Sequence, residues 1–317
     1  MKEVVLTRPP YMNPSELRIA DMHTVLNILN VLIGELSLIE PAEPDLVERW
    51  KQLDEEMNET AREIKEGGDV AELMPRVRKA EAAVIALARE VLAQEKTAAR
   101  CAEIEASIAN LESVFSVFKA RVDELELRAE DPDLWILIES DAFRKLFENV
   151  FTAIAKNSKG AYDIHFDLSR KGERDYYFGL NLQVHPDHGK LWIPLRLIDV
   201  LRDLTANSRK YTAPGGKVAL ELSQDADSIR AVVEDNGCGI PEGEIEKVTE
   251  FGYRASNARR RPTQGGGFGL TKAAWLVTSW GGSLTLQSEV DSGTTIRLSI
   301  PNKELPEKPQ VWENEWA

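Results

Sequence analysis

Apolar residues recur at helical spacing through the first part of the chain. Ile19, Met22, Leu26, Leu29, Ile33 and Leu36 stand three and four apart, the heptad pattern that buries one stripe of a helix against a neighbour. Ser15 after Pro14 offers an N-cap, and Pro41 with Pro44 interrupts the run. A second stripe, Leu46, Trp50, Leu53, Met57, Ala61 and Ile64, stops at Gly67-Gly68. A third begins near Val70 with Leu73, Val77, Ala80, Val84, Leu87 and Val91. It resumes with Ile104, Ile108, Leu111, Phe115, Phe118, Val122 and Leu125. No Pro or Gly falls between Leu87 and Ile104, so the pattern predicts one helix of roughly sixty residues, about 90 Å long at ~1.5 Å per residue. Reversal at Gly67-Gly68 sets residues 111–122 opposite residues 13–24. Residues 15–128 therefore read as one long antiparallel hairpin, kinked at Pro41 to Pro44. A single hairpin leaves its stripe exposed, and two would hide it in a four-helix bundle, so a homodimer is expected. The alternative is a bundle closed within one chain.

After residue 130 the period changes. Leu134 to Ile154 reads as a helix ending at Asn157-Ser-Lys-Gly160, and Tyr162–Leu168 and Tyr176–Val184 alternate as strands around the Lys171-Gly172 turn. Ile229 to Val233 is a further strand, and Leu270 to Val277 an apolar helix. The tail, Asn302 to Ala317, is polar and proline-bearing. It reads as disordered, with Trp312 and Trp316 available for a docking contact. The fold class is α+β, with a helical domain over 1–130, a second domain over 131–301 and a tail over 302–317.

Composition narrows the partners. The 317 residues carry a net charge of −14, which excludes an extended nucleic-acid surface because phosphate contacts need clustered Lys and Arg. The acidity is uneven: Glu40 to Glu72 holds twelve acidic and four basic residues, a local net of −8. Two cysteines, Cys101 and Cys238, offer neither a disulfide framework nor a zinc pattern. His185-Pro-Asp-His188 lacks a third ligand nearby and reads as a solvated loop. Val25 to Ile39 is too short and too polar for a membrane span, and the N-terminus has no signal-peptide pattern, so the cytoplasm is the expected location.

Four short motifs then follow in one order. Asp203, Asn207 and Lys210 of Asp203-Leu-Thr-Ala-Asn207-Ser-Arg-Lys210-Tyr211 share one helix face. A carboxylate there orients or deprotonates a nucleophile, an amide oxygen suits Mg²⁺, and a lysine meets phosphate. Asp235-Asn-Gly237-Cys-Gly239-Ile240 ends the strand after Ile229, placing a carboxylate to accept from an exocyclic amine. Phe251-Gly-Tyr253-Arg254 comes next. Gly265-Gly-Gly267-Phe-Gly269-Leu270 opens the apolar helix and offers bare amides and a helix N-terminus to phosphate oxygens. Each alone is an ordinary turn, loop or solvated face. Together, in these contexts, they describe a nucleotide site.

The segment from about Leu195 to Pro301 resembles the Bergerat-type ATP-binding domain shared by sensor histidine kinases, gyrase-type topoisomerases, Hsp90-type chaperones and MutL-type repair proteins. The motifs are similar to its N, G1, F and G2 boxes, and the F box points to the kinase branch. The resemblance implies an α/β sandwich and ATP beneath a flexible lid over about Glu242 to Gly267. It implies that Asn207 coordinates Mg²⁺, Lys210 with its neighbour Tyr211 approaches phosphate, and Asp235 reads adenine. Gly237 and Gly239, with Ile240 beside them, allow close approach, and Gly265, Gly267 and Gly269, followed by Leu270, close over the phosphates. Arg254 and Arg259 to Arg261, with no acidic neighbour between Phe251 and Gly267, read either as a solubilising loop or as a screen for triphosphate charge.

His23 borders the first seam. A lone helical histidine is usually an unremarkable boundary residue, but His23, Asn27, Leu29, Leu32 and Gly34 form a His-x3-Asn-x-Leu-x2-Leu-x-Gly pattern. That pattern is similar to the phosphoacceptor helix of citrate- and fumarate-sensing kinases and sporulation-type phosphotransferases. The resemblance makes His23 the phosphoacceptor and matches Asn27 to the residue that holds a hydrolytic water in related kinases. One departure stands out: Thr24 occupies the place of the usual acid and is no base near neutral pH.

Three functions fit. The first is a histidine kinase passing the ATP γ-phosphoryl to His23 and on to an aspartate of a response-regulator receiver domain, with an unknown sensor or input partner. The second is a nucleotide-binding phosphotransfer or regulator-phosphatase module with little autokinase activity. The third, an ATP-gated clamp, is disfavoured because only 48 residues follow Gly269.

Overall fold

The computed structural model describes all residues except Met1, 67–69, 159, 185–188, 260–265 and 313–317. The chain divides into two units: Pro14–Pro132, and Met1–Asn13 together with Asp133–Ala317. The first thirteen residues, expected in the helical domain, thus belong to the other unit. The Gly67-Gly68 turn and His185 with His188 lie outside the described residues.

The helical unit contains α1 (Pro14–Ser37), α2 (Pro44–Glu66), α3 (Val70–Gln94) and α4 (Ala98–Glu130). The expected sixty-residue helix is instead two helices. Glu95 replaces the Pro or Gly that usually stops a helix: its carboxylate accepts from the Lys96 and Thr97 amides, both at 2.8 Å. Those two backbone donors hold the carboxylate below its usual range. The chain reverses here, so α4 runs back along α3. Arg78 meets Asp123 at 2.7 Å and Arg89 meets Glu112 at 2.7 Å, while α2 and α3 are stitched by Arg49–Glu90 and Arg76–Glu63. Exposed pairs of this kind stabilise little, but their register marks both packings as antiparallel.

α1 contacts α2, α2 contacts α3, α3 contacts α4, and α4 closes on α1. The bundle is therefore complete within one chain, and a second copy is not needed to cover the stripes of α1 and α4. A helix with two neighbours must bury a wider stripe than a hairpin seam. Val25, Leu29, Leu32 and Leu36 are accordingly buried in α1, Met22, Leu26 and Ile33 pack at its margin, and Ile19, expected in the seam, is 43% exposed. No single described helix is long and apolar enough to cross a membrane; α1 passes such a test only as two segments bent by 43°.

The second unit is built on a seven-stranded sheet. Its elements are β1 (Lys2–Leu6), β2 (Trp135–Glu139), α5 (Ser140–Asn157), β3 (Ile164–His165), β4 (Tyr176–Gln183), β5 (Lys190–Pro194), α6 (Leu195–Tyr211), β6 (Lys217–Gln224), β7 (Ser228–Asp235), α7 (Ser256–Arg259), α8 (Gly269–Ser279), β8 (Ser283–Glu289) and β9 (Gly293–Pro301). The strand order is β1-β8-β9-β7-β6-β4-β3, and β2 pairs with β5 separately. α6 and α8 lie against each other and against the sheet. They bury Leu197, Val200, Leu201, Leu204, Ala273 and Val277 over Leu220, Ile229, Val233 and Leu284.

Three expectations are corrected. The helix predicted from Leu134 starts only at Ser140, because the aromatic and β-branched run Trp135-Ile-Leu-Ile138 pairs antiparallel with β5. Residues 162–168 keep only a two-residue strand, which runs parallel to β4 rather than forming a hairpin around Gly172. The tail is ordered at least to Trp312: Val311 bridges Leu137, and the Trp312 amide donates to the Leu137 carbonyl at 2.9 Å.

Candidate nucleotide-binding site

The four motifs, far apart in sequence, meet between α6, the end of β7 and the start of α8. On α6, Asp203 and Asn207 lie one turn apart, and α8 begins against them. A methyl group built on Gly269 would sit 2.9 Å from Asn207 Nδ2 and 3.8 Å from Asp203 Cβ. The free amides at the α8 N-terminus and the Asn207 amide therefore face one small space. Asp203 does not stand alone there. Its Oδ2 receives Lys272 Nζ at 3.3 Å, and the same ammonium lies 3.6 Å from Asp199 Oδ2. Both Lys272 and Asp199 are buried. Sequence reading passed over Lys272, although a lysine inside the apolar run Leu270 to Val277 was a visible irregularity.

Asp235 ends β7 and is buried. Burial pushes its carboxyl upward, opposed by the Gly237 amide, the Ser208 hydroxyl and the Thr294 backbone amide. The Gly237 amide is 2.9 Å from Oδ1. The turn that follows is pinned on several sides: Cys238 N donates to Tyr211 O, Ile240 N donates to Ser288 Oγ, and Asn257 Nδ2 donates to Gly239 O. Gly239 has φ 62°, and a side chain there would run into the Glu289 carbonyl. Thr294, Ser288 and Asn257 were invisible in the motifs because each acts from another element, and Ser208, though inside the first motif, acts on a residue of the second.

A ring pair joins the middle of the lid segment to the residue after its end. Phe251 stacks on Phe268 with centroids 5.3 Å apart, and the Gly252 amide donates to Gly267 O at 3.2 Å. Between them Arg254 donates to the Ala258 carbonyl. Lys210 is pushed down to about 8, first by burial and then by the charges of Arg254 and Arg209. Its ammonium stands 5.6 Å from the Tyr211 ring centre. Three cations crowd one another here, an arrangement that an arriving polyanion relieves. Gly265, Arg260 and Arg261 lie outside the described residues, and Leu270 is half-buried in the first turn of α8.

Among the described residues no group of three His, Cys, Asp or Glu side chains could hold a metal. Asn207 sets its amide nitrogen against Gly269, so its amide oxygen is the atom that suits a cation carried in with phosphate. Asn207 would hold it, and the cation would supply charge neutralisation.

His23 stands on α1 of the helical unit, half-buried, with Asn27 Nδ2 3.0 Å from its Nε2. An amide donor at Nε2 selects the neutral tautomer with its proton on Nδ1.

The family described as histidine kinase-, DNA gyrase B- and HSP90-like ATPase matches residues 193–304, which span α6 to β9 and every motif of this site. Residues 193–304 are an ATPase domain of that family. Two curated relatives are similar to part of this chain. Sensor histidine kinase WalK of Bacillus subtilis (strain 168) is 33% identical over 120 residues, covering 37% of this chain and 19% of that protein. Sensor protein SrrB of Staphylococcus aureus (strain MRSA252) is 30% identical over 128 residues, covering 40% and 22%. The chain thus spans only about a fifth of the length of the relatives it matches. Among solved structures, the mycobacterial sensor histidine kinase MprB is 27% identical, covering 40% of this chain and 86% of that one with a TM-score of 0.34. Full-length ShkA in complex with AMPPNP is 19% identical, covering 73% and 45% with a TM-score of 0.43.

Proposed function

We propose that the chain is a histidine kinase of a two-component system, which passes the γ-phosphoryl of ATP to His23 and then to an aspartate of a response-regulator receiver domain. The observation that carries this reading is the meeting of Asn207, Asp235, Lys210 and the α8 N-terminus in an ATPase domain whose relatives are sensor histidine kinases. Asp235 accepts from the adenine amine, the α8 amides with Lys210 and Arg254 hold the phosphate oxygens, and Gly267 and Gly269 let the backbone approach them. Phosphoryl transfer of this kind depends on positioning and charge neutralisation more than on covalent help from the protein. Asn207 would hold a magnesium ion, which would supply part of that neutralisation. At the acceptor, Asn27 keeps the lone pair on Nε2, and that nitrogen attacks.

A second reading draws on Thr24. Thr24 stands where the family pattern has an acid and is no base near neutral pH, so labelling from ATP is slow and dephosphorylation of a regulator competes with it. Incubation with γ-labelled ATP tests both: acid-labile, base-stable label that disappears in His23→Gln supports the kinase. No label in wild type, with Asn27→Ala abolishing dephosphorylation of a phosphorylated receiver domain, supports the phosphatase.

A further inference from the structure

Lys272 is a charged group placed where the surrounding helix is apolar. Its neighbours on α8, Thr271, Ala273 and Ala274, are buried, and its own side chain is 3% exposed. Such a lysine costs several kcal/mol of desolvation unless its charge is met. It is met by two carboxylates of α6 one turn apart, Asp203 at 3.3 Å and Asp199 at 3.6 Å. Asp199 is 2% exposed and has Arg202 at 3.8 Å, whereas Asp203 is 26% exposed. The more open end of this chain of charges is therefore the carboxylate beside Asn207 and Gly269.

We infer that Lys272 is a positioning residue that holds Asp203 as an anchored acceptor and withholds it from acting as a base toward water. The inference rests on the ATP reading given above. An aspartate one turn before the Asn207 amide is placed to take a proton from water. In that step the water oxygen bonds to the γ-phosphorus, Asp203 receives the water proton, and the β–γ bridging bond breaks. ADP then leaves with the electron pair. A carboxylate oxygen already held by an ammonium at 3.3 Å is occupied and cannot swing freely to a water. It still orients a hydrogen-bond donor near the phosphate. The device also ties α6 to α8, so the helix carrying Asn207 and the helix whose N-terminus meets phosphate hold one spacing. ATP is then kept for a nucleophile that brings its own basic nitrogen rather than lost to water.

The test is Lys272→Met in the full chain, measured for Mg-ATP binding by calorimetry and for free phosphate and phosphohistidine by product analysis. The expected result is Mg-ATP affinity within about threefold of wild type. Free phosphate release should rise at least about tenfold, the lower part of the range for general-base assistance, and the ratio of free phosphate to phosphohistidine should rise with it. A merely structural lysine would lower stability and every activity together, and it gives no gain in hydrolysis. Lys272→Met/Asp199→Asn, which leaves no bare carboxylate in the buried position, carries the same expectation if the single variant does not fold. Wild-type phosphate release in whichever of these variants folds and binds Mg-ATP overturns the proposal. Absence of Mg-ATP binding in the wild-type protein would instead overturn the ATP reading on which it stands.

Discussion

At the scale of single residues, the nucleotide motifs were legible because each is local: a helix face, a strand end or a helix start declares itself within a few positions. Asp235→Asn and Asn207→Ala should each weaken Mg-ATP binding by about 1.5–3 kcal/mol while leaving the fold intact, as read by calorimetry and circular dichroism. Two partners that tune these residues were not legible, since Thr294 reaches the site from elsewhere in the fold and Lys272 from within an apolar run. Their effect should appear in the pH dependence of binding. Asp235 is raised by burial, so nucleotide binding through its carboxylate should be lost on acidification sooner than for an ordinary aspartate. Lys210 is depressed to about 8 in the free protein, so above that pH a phosphate ligand must bring a proton to it. Titration from pH 5 to 10 should show affinity falling on both sides of neutrality. Proton uptake should accompany binding near pH 8, seen as a dependence of the calorimetric heat on buffer ionisation. A flat profile on the alkaline side would remove Lys210 from the phosphate site. Thr24→Glu should speed labelling of His23, by up to ~10²–10⁴-fold if the acid acts as a base toward the imidazole.

At the scale of elements, every helical stripe in the first 130 residues marked a real helix, and the error lay in how they join. Pattern reading looks for Pro or Gly at a break. Here Glu95 caps its own reversal through the Lys96 and Thr97 amides, and a side chain that acts on its neighbours' backbone leaves no trace in periodicity. Glu95→Ala should therefore lower the stability of the helical unit in chemical denaturation, with Glu95→Gln intermediate. Leu29 and Phe115 are fully buried, so Leu29→Glu or Phe115→Glu should cost about 3–5 kcal/mol and unfold the bundle rather than split a dimer. The strand at Trp135 was missed for a related reason. Its run is too short for periodicity to separate helix from strand, and the partner that decides it, Lys190–Pro194, lies more than fifty residues on.

At the scale of the whole molecule, the order of a helical region followed by an ATPase region was legible, but its limits were not. Because the four helices cover one another, light scattering should report a monomer at concentrations where an exposed heptad seam would pair. A stable dimer would place the interface on other surfaces, such as the exposed Ile19 and Val31 of α1. The antiparallel pairing of Lys2–Leu6 with Leu284–Ser288 could not be foreseen, since five residues of modest apolarity carry no sign of a partner some 280 positions away. That pairing has a consequence for how the protein is made. The strand leaves the ribosome well ahead of its partner. While the bundle between them is synthesised and folds, Lys2–Leu6 must wait as an unpaired edge, and sheet closure becomes the late, non-local event of folding. At ~5–20 residues per second, that wait is on the order of 15–55 s. A nascent chain halted before residue 284 should thus carry a finished helical bundle while its opening strand is still open to proteolysis.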